Sequence, residues 1–102
     1  MNRPFLSIGS SPPPLFDALR VATWRVDMHS NVSQATVRSV IPGVLYVFVI
    51  VQDGAGGRTF NWPPNCLNPV PINTAPNGIT VQCFVGLPNN ILNANIPAGM
   101  YP

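Results

Sequence analysis

The glycines at 54, 56 and 57, followed by Arg58-Thr59, have the spacing most suggestive of chemistry, because a glycine-rich loop can wrap backbone N–H groups around a phosphate. Such a loop also needs a Lys-Ser/Thr pair and a following helix. Arg58-Thr59 instead opens a run with strand character, so Asp53, Gly54, Gly56 and Gly57 read as a hairpin turn. Glycoside hydrolysis needs two carboxylates at one cleft. The chain has only Asp17, Asp27 and Asp53 to offer, and Asp53 has a turn to stabilise. A Ser/His/Asp triad would have to recruit His29, the single histidine, which falls in the expected turn His29-Ser30-Asn31 and reads as exposed. His29 is also far in sequence from Cys66 and Cys83, and no CxxC pair exists, so neither a metal site nor another cofactor is expected. Cys83 reads as a small buried apolar residue and Cys66 as a loop residue. Two cysteines do not define a disulfide framework, which leaves a Cys66–Cys83 bridge and two free thiols both open. Asn31-Val32-Ser33 matches a glycosylation sequon, but the first fourteen residues lack the apolar stretch of a secretory signal. No residue is singled out as catalytic, and an enzyme is not expected.

The elements that would carry these residues are strands. Thirteen prolines, no lysine and no glutamate make a poor helix former. Residues 20–28 alternate, with Ala22, Trp24, Val26 and Met28 on one face; Arg25 and Asp27 form a solvated pair on the other. A second strand is expected near residues 33–40, and Pro42-Gly43 suits the centre of a type II turn. Residues 44–52 are strand-forming on both parities, which predicts a central strand covered on both faces. The 53–57 turn should return the chain as a hairpin arm over residues 58–62, ended by Pro63-Pro64. After a proline- and asparagine-rich loop at 63–78, the strand ITVQCFVG is expected to point Ile79, Val81, Cys83 and Val85 inward, and a last strand to run near residues 90–96. Trp24 and Trp62 could stack on sugars, but both fall on the apolar parity of their strands. They are therefore placed in the core with Phe48 and Phe60. Turn signals at short spacing predict an all-β fold, a small antiparallel sandwich or barrel of jelly-roll-like form.

The 102 residues allow one domain, with an extended proline-rich arm at residues 1–14 and the β domain at 15–102. Residues 15–19 could make one helical turn before the first strand. Five arginines and three aspartates are few charges with which to coat a surface, so part of the surface is expected to be covered by copies of the chain. Phe5, Leu6 and Ile8 in the arm, with Leu15 and Phe16, are the expected assembly contacts. A net charge of +2 without a concentrated basic patch argues against nucleic acid. VLYVFVIV is too short to cross a membrane as a helix.

The stretch PGVLYVFVIVQDGAGGRTFNWP resembles a pattern found in bacteriophage tail-fibre, tail-spike and related virion proteins, and the resemblance extends over residues 20–96. It implies a small antiparallel β domain, commonly trimeric, built into a virus particle made in the host bacterial cytoplasm. Its partners would be itself, as a homotrimer, and other virion proteins such as a capsid or tail protein. With a chain running from Met1 to Pro102, the expectation is a stand-alone capsid-decorating or stabilising protein attached through its N-terminal arm. The alternatives are a tail-fibre or spike module that binds a host receptor or glycan, chiefly through residues 63–78, and a self-assembling filament subunit.

Overall fold

The computed structural model describes residues 5–9, the first four as backbone only, and residues 14–94. Eight strands run in chain order: β1 (Phe5–Gly9), β2 (Leu15–Asp17), β3 (Thr23–Met28), β4 (Thr36–Arg38), β5 (Leu45–Gln52), β6 (Cys66–Leu67), β7 (Ile79–Leu87) and β8 (Ile91–Asn93). No described residue is helical, so the fold is all-β. Six strands form one sheet in the order β1-β3-β5-β7-β8-β6, and β2 pairs with β4 in a separate two-stranded sheet.

The pairing is mixed where the turn spacing predicted an antiparallel, jelly-roll-like arrangement. β1, β3 and β5 are mutually parallel, as are β6 with β8 and β2 with β4; β7 is antiparallel to both β5 and β8. Parallel neighbours need a crossover, usually helical. Here the first crossover carries β2 and the second carries β4. Crossovers of the same, right-handed sense land on the same side of a sheet. That is where β2 and β4 meet, in register through Phe16 and Val37. Residues 15–17, expected as part of a helical turn, are strand β2 for this reason.

The core lies between one face of the large sheet and the layer laid over it. Trp24, Val26 and Met28 of β3, Tyr46, Phe48 and Ile50 of β5, Phe84 of β7 and Leu92 of β8 are buried, facing Phe16, Val32, Val37 and Phe60 from the covering layer. Phe16 stands edge-on to Phe48 at 4.9 Å and to Trp24 at 5.4 Å between ring centroids, a favoured aromatic geometry.

The 44–63 hairpin does not form. β5 already has β3 on one edge and β7 on the other, so no edge remains for residues 58–62. Left-handed backbone at Gly56 and Gly57 turns the chain across the sheet, where Phe60 makes a single bridge with Val32. β5 is accordingly buried on one face and only partly covered on the other. β7 also departs from expectation: Thr80, Gln82 and Phe84 point into the core, while Ile79 and Val81 point out. The buried polar pair has work to do there. The Thr80 hydroxyl accepts the Asn73 N–H (2.7 Å) and the Gln82 carbonyl oxygen accepts the Val70 N–H (2.8 Å), fixing the 63–78 loop over the sheet.

Phe5–Gly9, expected in an extended arm docked on another surface, adds edge strand β1 with Phe5 beside Thr23 and Ile8 beside Val26. Residues 1–4, 10–13 and 95–102 lie outside the described residues.

Candidate functional site

The polar residues that could have formed a reactive centre are dispersed into three ion pairs: Arg25–Asp27 at 2.9 Å, Arg38–Asp17 at 3.4 Å and Arg58–Asp53 at 3.1 Å. Each aspartate is therefore held by its own guanidinium. Among the described residues, no group of three or more His, Cys, Asp and Glu is placed to hold a metal ion. Cys66 and Cys83 are free thiols, which resolves the alternatives left open by their number. Burial pushes the Cys66 thiol up to about 12, far from the thiolate form that reacts, and raises that of Cys83 as well. His29 is exposed. Asn31 of the sequon accepts the Thr59 N–H at 2.9 Å, tying two loops together.

The 53–57 turn is a structural knot. The Asp53 carboxylate accepts the N–H groups of Ala55 (3.1 Å) and Gly56 (3.0 Å) through one oxygen and the Arg58 guanidinium through the other. The Arg58 hydrogen bond is the main reason its pKa lies below the ordinary value; desolvation opposes it and the two backbone donors assist. Gln52, buried, spans the turn with both ends of its amide, accepting the Arg58 N–H (3.1 Å) and donating to the Arg58 carbonyl (2.8 Å). Gly57 donates to Thr74 and Asn77 to Asp53, so the turn is stitched to the covering loop. A Cβ at Gly56 would lie 2.6 Å from the Pro76 nitrogen, and φ there is +68°. Gly54 faces open space. These donors all point inward to protein and leave no cradle for a phosphate.

Of the aromatic residues placed in the core, Trp24 and Phe48 are fully buried and Phe60 nearly so. Trp62 is half-buried, edge-on to Phe48, Phe60 and Phe84, with its indole N–H donated to the Val70 carbonyl at 3.1 Å. Its ring is thus not a free sugar platform. Phe16, expected as an assembly contact, is instead fully enclosed in the core and cannot meet another molecule; Leu15 beside it is exposed. The side chains of Phe5, Leu6 and Ile8 lie outside the described residues.

The surface that sequence reasoning missed is the outer face of the large sheet. In register across β5 and β7 stand Leu45 with Val85, Val47 with Cys83, Val49 with Val81 and Val51 with Ile79. Val81 is 64 % exposed, Ile79 58 % and Leu45 43 %, and the others are half-buried. Thr23, Arg25 and Asp27 of β3 border this aliphatic strip beside Val47, Val49 and Val51. The signal was available in the aromatics. Trp24, Tyr46, Phe48 and Phe84 share one parity set, and the largest rings mark the core side.

Together, fold and surface define a small all-β domain with one face of its main sheet covered by its own chain and the other face open and aliphatic. Residues 18–86 match the family described as "Putative phage tail fibre C-terminal domain", and the chain belongs to it. It is thus a tail-fibre-like phage structural protein and a virion component made in the host. The matched stretch runs from Ala18 before β3 to Gly86 in β7. No curated protein and no solved structure matches the chain. Among the described residues, no helix is long and apolar enough to cross a membrane.

Proposed function

We propose that this domain is a non-enzymatic assembly module of a phage tail fibre, working as a homotrimer packed through the open face of its large sheet. The observation that carries this is the aliphatic strip on β5 and β7, with Val81 and Ile79 exposed toward one end of it. Burying apolar surface supplies about 25 cal/mol per Å². Contiguous apolar patches of this kind on a soluble domain mark interaction sites.

The occupant is a further copy of the same chain. Arg25 and Asp27 flank the strip on the same face, one positive and one negative. A surface that carries both signs at its border can meet copies of itself without net repulsion, and interface centres are depleted in charge. Three aspartates and five arginines in 102 residues leave little to keep a lone copy dispersed. In the particle, the trimer adjoins other tail proteins. Capsid decoration through the arm has no described residue in its favour, and the family match favours the tail fibre.

The test is the mass in solution. Light scattering should give three times the 11.0 kDa of one chain. Val81→Arg, at a position already open to water, should give folded monomers with unchanged near-ultraviolet circular dichroism from the core aromatics. A wild-type monomer at all concentrations, or a Val81→Arg trimer, overturns the reading. A monomer would mean that the face is covered by another virion protein or by the chain's own residues.

A further inference from the structure

The two ends of the aliphatic strip are unlike. At one end a row of outward residues crosses the sheet, Asp27 of β3 beside Val51 of β5 beside Ile79 of β7. Ile79 and its neighbour on the same face, Val81, are the most exposed residues of the strip, so this end projects aliphatic side chains into solvent. At the other end, Ala22 and Val44 lead into β3 and β5 and border a hollow of about 200 Å³. Leu19, Val21 and Ile41 complete its apolar wall, and Arg20 lines it too. Through Val44 the hollow adjoins Leu45, the first residue of the strip. Its wall is held in place: the Ile41 N–H donates to the Tyr46 hydroxyl (2.9 Å), the Gly43 N–H donates to the Gly86 carbonyl (2.8 Å), and Gly86 has no room for a Cβ beside the Ile41 carbonyl. A wall fixed before contact loses little freedom on binding.

From Leu45 to Val51 the strip spans about 20 Å at the usual strand rise, so its two ends cannot meet within one copy. Between copies they can. In a two-fold pair a patch meets itself, whereas in a three-membered ring each contact joins one surface to a different surface on the next copy. A ring of three therefore needs a second apolar surface. Outside the strip, the exposed apolar residues continuous with it are Leu19 and Ile41 at the hollow. Charge points the same way. Arg25, Arg38 and Arg58 each hold one of the three aspartates, so among the described residues Arg20 is left without a carboxylate partner. Asp27, at the Ile79 end, touches Arg25 through one oxygen only, and a carboxylate can accept from a second guanidinium.

We propose that the copies join head to tail. Ile79 and Val81 of one copy pack into the hollow beside Leu19 and Ile41 of the next, and Asp27 of the first meets Arg20 of the second. An aliphatic cavity of about 150 Å³ admits a group the size of benzene, so the hollow has room for the Ile79 side chain. Three such contacts close a ring, in which every copy gives one end of its strip and receives the other. This pairing rests on the trimeric packing proposed above and names the two surfaces that meet in it.

The experiment is disulfide cross-linking of the full chain carrying Cys83→Ser, which leaves buried Cys66 as the remaining native thiol. Leu19→Cys and Ile79→Cys are introduced singly and together, at positions already open to water, and oxidation is followed on non-reducing gels. The double variant should give a ladder that ends at the covalent trimer, while Ile79→Cys alone should stay unlinked. Ile79→Cys chains that link to one another, with light scattering still giving trimers, would overturn the head-to-tail contact and leave the trimer standing. So would a trimer whose double variant forms no cross-link. Monomers in the light scattering would overturn both. For the charged pair, Arg20→Gln should raise the concentration at which the trimer half-dissociates by about fivefold, and should have no further effect in Asp27→Asn. Independent, multiplying effects of the two changes would overturn the Arg20–Asp27 contact.

Discussion

The two faces of the large sheet come from the same strands and differ in kind. The covered face carries Trp24, Tyr46, Phe48 and Phe84 beside buried Thr80 and Gln82; the open face carries valines, a leucine, an isoleucine and a cysteine. By hydropathy alone, Val81 belongs inside and Gln82 outside. The structure reverses them because burial follows what lies over each face. The proline-rich loop brings backbone N–H groups that Thr80 and Gln82 satisfy, and Phe16 and Trp62 bring rings that fit against Phe48. Among the described residues the aliphatic face has no such cover, and this is why it is free to be an interface.

The largest effect should come from breaking the covered face. Phe48→Ala removes a ring in contact with Phe16, Trp24, Trp62 and Phe84, and should cost about 3–5 kcal/mol in equilibrium unfolding. A loss below about 1 kcal/mol would show that this face is not the core. Gly56→Ala detaches the covering loop. It forces a Cβ into the backbone of Thr74 and Pro76 at a left-handed φ, and should cost about 1–3 kcal/mol by the same measurement. Unchanged stability would mean that the turn does not hold the cover. The smallest effect is that of pH on the same turn. Because the folded pKa of Asp53 is depressed, its contribution is present above the ordinary carboxylate value of 3.8 and is lost as pH falls through the lower folded value. Unfolding midpoints should therefore drop at acid pH, and Asp53→Asn should flatten that slope.

How much of this was legible in the sequence can be argued from β5 and β7. The all-β class followed from proline content and the absence of Lys and Glu, and the strand at 45–52 from its β-branched and aromatic run. The turn chemistry of Asp53 was also readable, since its side chain caps the turn as its type predicts. Pairing was not readable. Whether β5 takes 58–62 or β3 and β7 as neighbours depends on contacts distant in sequence, and a turn motif is silent about them. Parity was only half readable: alternation in 79–85 divides the residues into two sets, but it does not say which set faces the rings of β3 and β5.

Cys83 offers the most direct measurement of the central claim, that the open face is covered by a further copy of the chain. It stands on that face opposite Val47, whereas Cys66 is buried in the core with its thiol raised to about 12 and should stay unreactive in folded protein. The rate of Cys83 alkylation at fixed pH should be slow in wild type. In Val81→Gln, a neutral change that leaves local charge alone, it should be at least tenfold faster as the assembly dissociates. Equal rates in the two proteins, with both folded, would contradict the account.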